Sequence, residues 1–259
     1  DTKGTVAAGK RLAKAVGRPN LMIKVPATQE GLPAITELLA AGVSVNVTLI
    51  FHVDRYAQVL NAFLTGMEKL KKTGGDLSKT HSVASFFVSR IDSAVDAKLP
   101  KDSPLRARAA VMNAKRAYEH FQKVCAEKRW KALAKEGARV QRPLWASTST
   151  KDPSLPDTMY VDELIGPDTV NTIPPNTWEA FKDHGKVALT VDKNVDLAWK
   201  NVEELAAAGV LLGPVTDELE AAGVDAFAKS YESLLSSLAQ KIVAFQKKKS
   251  SPNGGLEGV

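Results

Sequence analysis

The stretch Leu21-Met22-Ile23-Lys24-Val25-Pro26-Ala27-Thr28 holds one lysine within an apolar run whose length suits a β-strand, and Thr28 is a residue that favours a helix start. Burying a charged ammonium is costly, so a lysine on such a strand is either paired or held neutral. A neutral lysine is a nucleophile that forms a Schiff base with a carbonyl compound. The alternative is that Lys24 lies at a strand end and its side chain reaches solvent, and this stretch alone leaves both alternatives open.

Strand and helix patterns alternate through the rest of the chain. Strands are predicted at residues 21–27, 43–50, 83–91, 143–148 and 168–173. Helices are predicted at residues 4–16, 28–42, 54–72, 103–121, 130–135 and 160–165, from 178 after a cap at Asn176 or Thr177, and at 195–208, 217–222 and 224–247. Repeated strand-helix units with short connections specify a parallel sheet, which is either open or curled into a barrel.

A polar stripe on the second strand favours the barrel. Ser44, Asn46 and Thr48 share one face of that strand, whereas the valines between them form the other face. In an open sheet covered on both sides the polar stripe would be buried against a helix, but inside a barrel it can line a pocket. The candidate functional residues lie within strands or just past their ends, where barrel enzymes carry their chemistry: Lys24, Asn46, Thr48, Ser85, Arg90, Ser147 and Lys151.

The composition is that of an ordinary globular protein, with 259 residues, 44% hydrophobic and 25% charged. We expect one partial α/β-barrel domain over residues 1–249 and a flexible tail over 250–259. No apolar run is long enough to span a membrane. The single cysteine, Cys125, excludes an internal disulfide framework and fits a reducing compartment.

Metal and nucleic-acid functions are not favoured. The four histidines are scattered and show no metal-ligand spacing. The net charge of +6 favours anionic partners, but the lysine runs at 69–72 and 247–249 lack interleaved aromatic residues that could stack on bases. Anionic small-molecule substrates are therefore expected, without nucleic acid, membrane or metal.

Five segments of the chain resemble those of transaldolases, in particular the longer plant and actinobacterial type. The segments are Ile23–Thr28, Asn46–Leu49, Ser85–Ile91, Arg142–Thr148 and Asp162–Thr172. The resemblance implies a (β/α)8 TIM barrel of the class I aldolase type, of which the chain shows only about five strand-helix units. It also implies an enzyme without a cofactor.

The reaction that this resemblance implies is transfer of a dihydroxyacetone unit in the non-oxidative pentose phosphate pathway. The donor would be sedoheptulose 7-phosphate or fructose 6-phosphate, and the acceptor glyceraldehyde 3-phosphate or erythrose 4-phosphate. Lys24 would form the Schiff base and Thr48 would position a water molecule. The resemblance assigns substrate contacts to Asn46, Ser85 and Phe87, and phosphate contacts to Arg90, Ser147 and Lys151. Lys151 stands in for an arginine of the shorter type.

The chain has a second, larger departure from the family pattern. An aspartate and a glutamate that serve as acid and base in the family would precede Asp1, so we expect the chain to be a C-terminal portion lacking three strand units. The alternatives are a Schiff-base aldolase that hydrolyses its enamine, a non-catalytic remnant that binds sugar phosphates, and a basic nucleic-acid binder. A cytoplasmic location is expected, or a plastid for a plant protein, and a homo-oligomer is left open.

Overall fold

The structure, a computed structural model, describes the backbone of residues 1–249 and the side chains of residues 1–246. Its strands and α-helices in chain order are α1 (Thr2–Val16), β1 (Ile23–Pro26), α2 (Gly31–Ala40), β2 (Val45–Ile50), α3 (Val53–Lys72), β3 (Ser82–Phe87), α4 (Ser89–Asp96), α5 (Ala109–Ala126), α6 (Lys128–Ala134), β4 (Arg142–Ala146), α7 (Met159–Asp162), β5 (Val170–Asn171), α8 (Pro175–His184), α9 (Val195–Ala207) and α10 (Leu212–Lys249). The chain divides into two compact units, Asp1–Glu220 and the part from Ala221 onward.

The strands of the first unit form one parallel sheet in the order β1-β2-β3-β4-β5. Each strand therefore pairs with the next strand in the sequence, and each of the four connections contains at least one helix, as expected for repeated strand-helix units. Within the described residues, β1 and β5 are the outer strands. The predicted α/β class and the parallel sheet of five strands are confirmed.

The core of this unit lies between the sheet and the helices that follow β1 and β2. Val45 and Val47 are fully buried, as are Ile35 and Leu38 of α2 and Tyr56 of α3. Burying an aliphatic or aromatic side chain of this size contributes about 1.5–3 kcal/mol. The alternation predicted for the second strand is confirmed, because its valines lie against the helices while Asn46 is on the other face.

The third strand is shorter than predicted. It ends at Phe87, and Ser89-Arg90-Ile91 begins α4 instead of continuing the strand. The residue that precedes this helix, Val88, has helical dihedral angles and no capping side chain. The prediction that Arg90 ends a strand is therefore wrong: it lies in the first turn of a helix.

The helix predicted from residue 103 begins only at Ala109. Ala107 has a φ of 57°, which a right-handed helix cannot contain. The backbone N–H of Ala107 donates to the carboxylate of Asp96, and that of Ala110 donates to Asp92 at 2.8 Å. These carboxylates come from α4, so a tertiary contact decides where α5 starts.

Three further boundaries differ from the predictions. β5 is reduced to Val170–Asn171, between Asp168, whose φ is 57°, and two prolines at 174 and 175. α8 begins at Pro175 without a side-chain cap, so the predicted capping role of Asn176 or Thr177 is wrong. The helices predicted at 217–222 and 224–247 form one helix, α10. The glycine between them is tolerated inside a helix at a cost of about 1 kcal/mol.

The part of the chain from Ala221 onward is helical as far as Lys249. The predicted tail at 250–259 lies outside the described residues. The single partial-barrel domain over residues 1–249 stays a prediction.

Candidate active site

Lys24 lies in the middle of β1, directly opposite Asn46 of β2. Residues opposite each other in a parallel ladder project from the same side of the sheet, so both side chains lie on the face away from the valine core. The Lys24 side chain is exposed, whereas the next residue, Val25, is fully buried. The structure therefore does not show the burial that was expected for Lys24.

Asn46 and Ser85 are joined by a hydrogen bond between neighbouring strands. The Ser85 hydroxyl donates to Asn46 Oδ1 across 2.7 Å, and Ser85 is buried. Because the Asn46 carbonyl oxygen is engaged, its amide group is left as a donor of two hydrogens on the Lys24 side of the sheet. Lys24, Asn46 and Ser85 therefore form one polar set on three adjacent strands.

Thr48 completes the polar stripe of β2 opposite Pro26. It is 3% exposed, and within the described residues its hydroxyl has no hydrogen-bond partner. A buried hydroxyl without a partner is uncommon and fits a position where a water or ligand binds. The next residue, Leu49, has a φ of 59°, and the pairing of β2 with β3 shifts register between Val47 and Ile50. This bulge redirects the chain at the end of the stripe.

Phe87, the last residue of β3, lies next to Arg90. The Arg90 guanidinium lies 5.1 Å from the centre of the Phe87 ring, within cation-π distance, and the Phe87 ring packs against Phe51 at 5.0 Å. The Arg90 side chain is exposed, in the first turn of α4. A guanidinium at the N-terminal end of a helix is well suited to an anion.

The end of β4 is held to both of its neighbours. Ser147 follows the strand with a φ of 58°, its carbonyl accepts from the Ser89 backbone at 3.0 Å, and the two hydroxyls are 2.8 Å apart. The Thr148 hydroxyl donates to Asn171 Oδ1 at 2.8 Å. Ser147 is thus next to the first turn of α4, where Arg90 lies.

Lys151 lies four residues after Ser147, and its ammonium donates to the Ser149 hydroxyl at 2.8 Å. A cavity of about 410 Å³ beside it is lined by Asp92, Ser93, Asp96, Ala97, Arg106, Lys151, Asp152, Leu155 and Tyr160. Arg90 and Ser147 are not among these lining residues, and the grouping of Lys151 with them stays a prediction.

The same cavity contains a buried carboxyl, Asp92, that the sequence did not single out. Burial raises the pKa of Asp92 to about 6, although hydrogen bonds from the Ala110 backbone and the Tyr160 hydroxyl oppose the shift. Burial also raises the pKa of Tyr160. Through its hydrogen bonds with Ala110 and Tyr160, Asp92 joins α4 to α5 and α7 in the interior of the first unit.

Across the described part of the chain, no His, Cys, Asp and Glu side chains converge into a group of three that could hold a metal ion. Among the helices that the structure describes, none is long and apolar enough to cross a membrane.

A family model described as transaldolase/fructose-6-phosphate aldolase matches residues 1–238. The chain belongs to this family. The predicted family is therefore confirmed, and with it an enzyme family of the transferase type. The confirmed fold class agrees with the aldolase barrels of this family.

Several proteins that are similar to this chain carry the name transaldolase. The protein from Frankia alni is 54% identical over 248 residues, which are 93% of this chain and 67% of that protein. The protein from Thermobifida fusca is 52% identical over 250 residues, which are 94% of this chain and 68% of that protein. The protein from Mycolicibacterium smegmatis is 47% identical over 253 residues, with 95% and 68% covered.

The chain spans about two thirds of the length of these transaldolases, and they match nearly all of it. Two finer expectations gain no support from the matches: the likeness to a plant type and the lack of three strand units.

Ser89 and Asp92 are the residues of this region that the sequence did not identify. Ser89 precedes Arg90 within the Ser85–Ile91 motif, and Asp92 lies just after the motif. Their nearness to Arg90 was the sequence signal that could have identified them. The partners of both residues, Ser147 and Tyr160, lie 58 and 68 residues away along the chain, so no local pattern reveals them.

Proposed function

We propose that the chain carries transaldolase chemistry, in which a dihydroxyacetone unit passes from a ketose phosphate to an aldose phosphate through a Schiff base on Lys24. The observation that carries the proposal is the hydrogen bond between Ser85 and Asn46, on the strand face that also bears Lys24. The family of the chain supports the same reaction. The donors are sedoheptulose 7-phosphate or fructose 6-phosphate, and the acceptors glyceraldehyde 3-phosphate or erythrose 4-phosphate.

The first half of the reaction forms and uses an iminium. The unprotonated Lys24 amine adds to the C2 ketone, and loss of water gives the iminium. The C4 hydroxyl then loses its proton, the C3–C4 bond breaks, and its electrons neutralise the iminium to an enamine on Lys24. The aldose phosphate leaves with C4 as its aldehyde carbon.

The second half reverses these steps with another aldehyde. The enamine carbon adds to the carbonyl carbon of the acceptor aldose phosphate, whose oxygen takes up a proton. Water then hydrolyses the regenerated iminium, which releases the new ketose phosphate and the free Lys24 amine. No external oxidant or reductant is needed, in agreement with an enzyme that uses no cofactor.

Asn46 and Ser85 are assigned to the hydroxyls of the dihydroxyacetone unit. With its oxygen engaged by Ser85, the Asn46 amide donates, and the Ser85 oxygen retains lone pairs that accept. Phe87 supplies an apolar wall beside them. Thr48 is assigned to the water that carries protons between the intermediates, which its buried and unpartnered hydroxyl supports.

The phosphate is assigned to Arg90 and Ser147. A guanidinium can donate two parallel hydrogen bonds to one phosphate, and Arg90 lies in the first turn of α4, at the positive end of the helix dipole. Lys151 stays a prediction for this role: it lies in the loop after Ser147, where its ammonium contacts Ser149.

Borohydride trapping tests the proposal. Incubation with fructose 6-phosphate and sodium borohydride should attach a dihydroxyacetone-derived mass to the peptide that contains Lys24. The Lys24→Met variant should lose this adduct. The matched control is Lys71→Met, which removes an exposed lysine paired with Glu136 and should leave the adduct unchanged. A folded wild-type chain without an adduct on Lys24 would contradict the proposal and favour the non-catalytic remnant.

A second candidate is a Schiff-base aldolase, which the family description also includes. It would release dihydroxyacetone by hydrolysing the enamine instead of passing it on. Product analysis with and without an acceptor aldose phosphate separates the two. Transfer predicts a new ketose phosphate that requires the acceptor, whereas the aldolase releases dihydroxyacetone in its absence. The cytoplasmic location and the assembly state stay predictions.

A further inference from the structure

Ser89 contacts Ser147 through both its backbone and its side chain. The Ser89 N–H donates to the Ser147 carbonyl at 3.0 Å, and the two hydroxyl oxygens are 2.8 Å apart. Ser89 is 1% exposed, whereas Ser147 is half-buried. The contact joins the first residue of α4 to the residue that follows β4.

Ser147 adopts a backbone conformation that needs such support. Its φ of 58° is in the left-handed region, which residues other than glycine seldom occupy. A strained residue of this kind persists where its surroundings fix it. The Ser89 N–H holds the Ser147 carbonyl and the Ser89 hydroxyl contacts the Ser147 hydroxyl, so two hydrogen bonds from one residue fix both the backbone and the side chain of Ser147.

Burial favours one of the two possible donors in this contact. Each serine hydroxyl has one proton to donate, and either oxygen can be the donor here. The Ser89 hydroxyl is enclosed, and Ser147 Oγ is within hydrogen-bond distance as its acceptor. When Ser89 donates to it, the proton of Ser147 is left for another acceptor on its accessible side.

We infer that Ser89 is a positioning residue for phosphate binding, which acts by fixing Ser147 and directing the Ser147 hydroxyl proton at a phosphate oxygen. The ligand class is a phosphate monoester, because Arg90 follows Ser89 in the first turn of α4 and supplies the matching charge. The inference rests on the proposed function, and it adds a residue to the site rather than a second site.

A double-mutant cycle tests this role. The probes are inorganic phosphate and fructose 6-phosphate, with dissociation constants measured by isothermal titration calorimetry. Ser89→Ala should weaken both about fivefold, the effect of losing one hydrogen bond. In a Ser147→Ala background the same change should have almost no further effect, because Ser89 acts through Ser147. Ser78→Ala, which removes an exposed hydroxyl that donates to Asp76, is the control and should bind both probes normally.

A second measurement separates positioning from general destabilisation. The rate of borohydride-trapped adduct formation on Lys24 with dihydroxyacetone, which has no phosphate, should be unchanged in Ser89→Ala. A loss that is equal with and without phosphate, or additive effects of the two alanine changes, would overturn the inference. If the wild type and Ser89→Ala bind fructose 6-phosphate equally well, only the role of Ser89 is overturned. Wild-type chain that binds neither probe overturns both this role and the proposed phosphate site.

Discussion

Tyr160 donates its phenolic hydrogen to the carboxyl of Asp92 across 2.8 Å, and this contact links α7 to α4 inside the first unit. Asp92 also accepts from the backbone of Ala110, the second residue of α5. One carboxyl therefore holds three helices, and α4 is the helix that begins with Ser89 and Arg90. We therefore expect the protonation state of Asp92 to affect the stability of this unit.

The pKa of Asp92 predicts a pH dependence of stability. Since burial raises it from 3.8 to about 6, the folded state binds more protons than the unfolded state between these values. Stability should therefore fall as pH rises through this window, by at most about 1.4 kcal/mol per pH unit from this group. Asp92→Asn does not titrate and should lose this slope in urea unfolding measured from pH 4 to pH 7.

The control for this experiment is Asp76→Asn, because hydrogen bonds from Ser78 lower the pKa of that exposed carboxyl. It should keep the decline seen in the wild type. Parallel stability curves for Asp92→Asn and the wild type would show that Asp92 is not the titrating group.

Asn46 should be needed as a donor and not only as a polar side chain. Asn46→Asp retains the acceptor for Ser85 but has no N–H to offer a substrate hydroxyl. We expect adduct formation on Lys24 to slow about tenfold or more in Asn46→Asp and Asn46→Ala, the effect of about 1.4 kcal/mol. Quantitative mass spectrometry of borohydride-trapped samples measures it.

Ser82→Ala provides the comparison for Asn46. Ser82 is buried in the same strand as Ser85, but its hydroxyl donates to the Val45 carbonyl. Its loss should lower stability while the adduct still forms. Normal trapping in Asn46→Asp would remove Asn46 from the proposed site.

The buried Lys115 should depend strongly on its partner. This side chain is 1% exposed, and its ammonium donates to Glu163 at 2.9 Å and to the Lys193 carbonyl at 3.2 Å. Glu163→Ala leaves a buried charge with one fewer acceptor, which we expect to cost about 1–3 kcal/mol of unfolding free energy. Glu179→Ala, which breaks the exposed Lys182–Glu179 pair, should change stability by about 0.5 kcal/mol or less. Equal effects of both changes in urea unfolding would contradict this prediction.

Arg129 should not be replaceable by lysine. Its guanidinium donates twice to Glu68 and once each to Asn61 and Thr65, which ties α6 to α3. Lysine has the charge but not the planar fork, so Arg129→Lys should cost about 1 kcal/mol, a modest value because the pair is partly exposed. Thermal unfolding measures it, and Lys131→Ala on the same helix should be neutral. A neutral Arg129→Lys would show that charge alone suffices.

The parts of the fold that the sequence predicts are those set by local periodicity. Val45 and Val47 alternate with Asn46 and Thr48, and a period of two places these pairs on opposite faces wherever the strand lies. The end of β3 was missed because the helix that starts at Ser89 has no capping side chain. The start of α5 was missed because carboxylates of α4 fix it.

For the site too, local patterns are predictable from the sequence and tertiary contacts are not. Lys24 is recognisable because it is charged within an otherwise apolar strand, and Asn46 because it belongs to the polar stripe of the next strand, whereas the resemblance to transaldolases assigned the role of Ser85. Lys151 was grouped with Ser147 as the stand-in for an arginine of the shorter transaldolase type, and in the structure it lines the cavity of Asp92 and Asp96. The path of a loop depends on contacts such as that of Lys151 with Ser149, which strand and helix patterns do not report.

The segment after β4 is anchored on both sides, by Ser147 to Ser89 and by Thr148 to Asn171. Its conformational entropy is therefore lost when the protein folds and not when a ligand arrives. An anion that binds there meets a preorganised cradle, so little ordering cost is subtracted from its affinity. The free and bound forms of this segment should accordingly differ little in amide hydrogen exchange, even though it lies outside regular secondary structure.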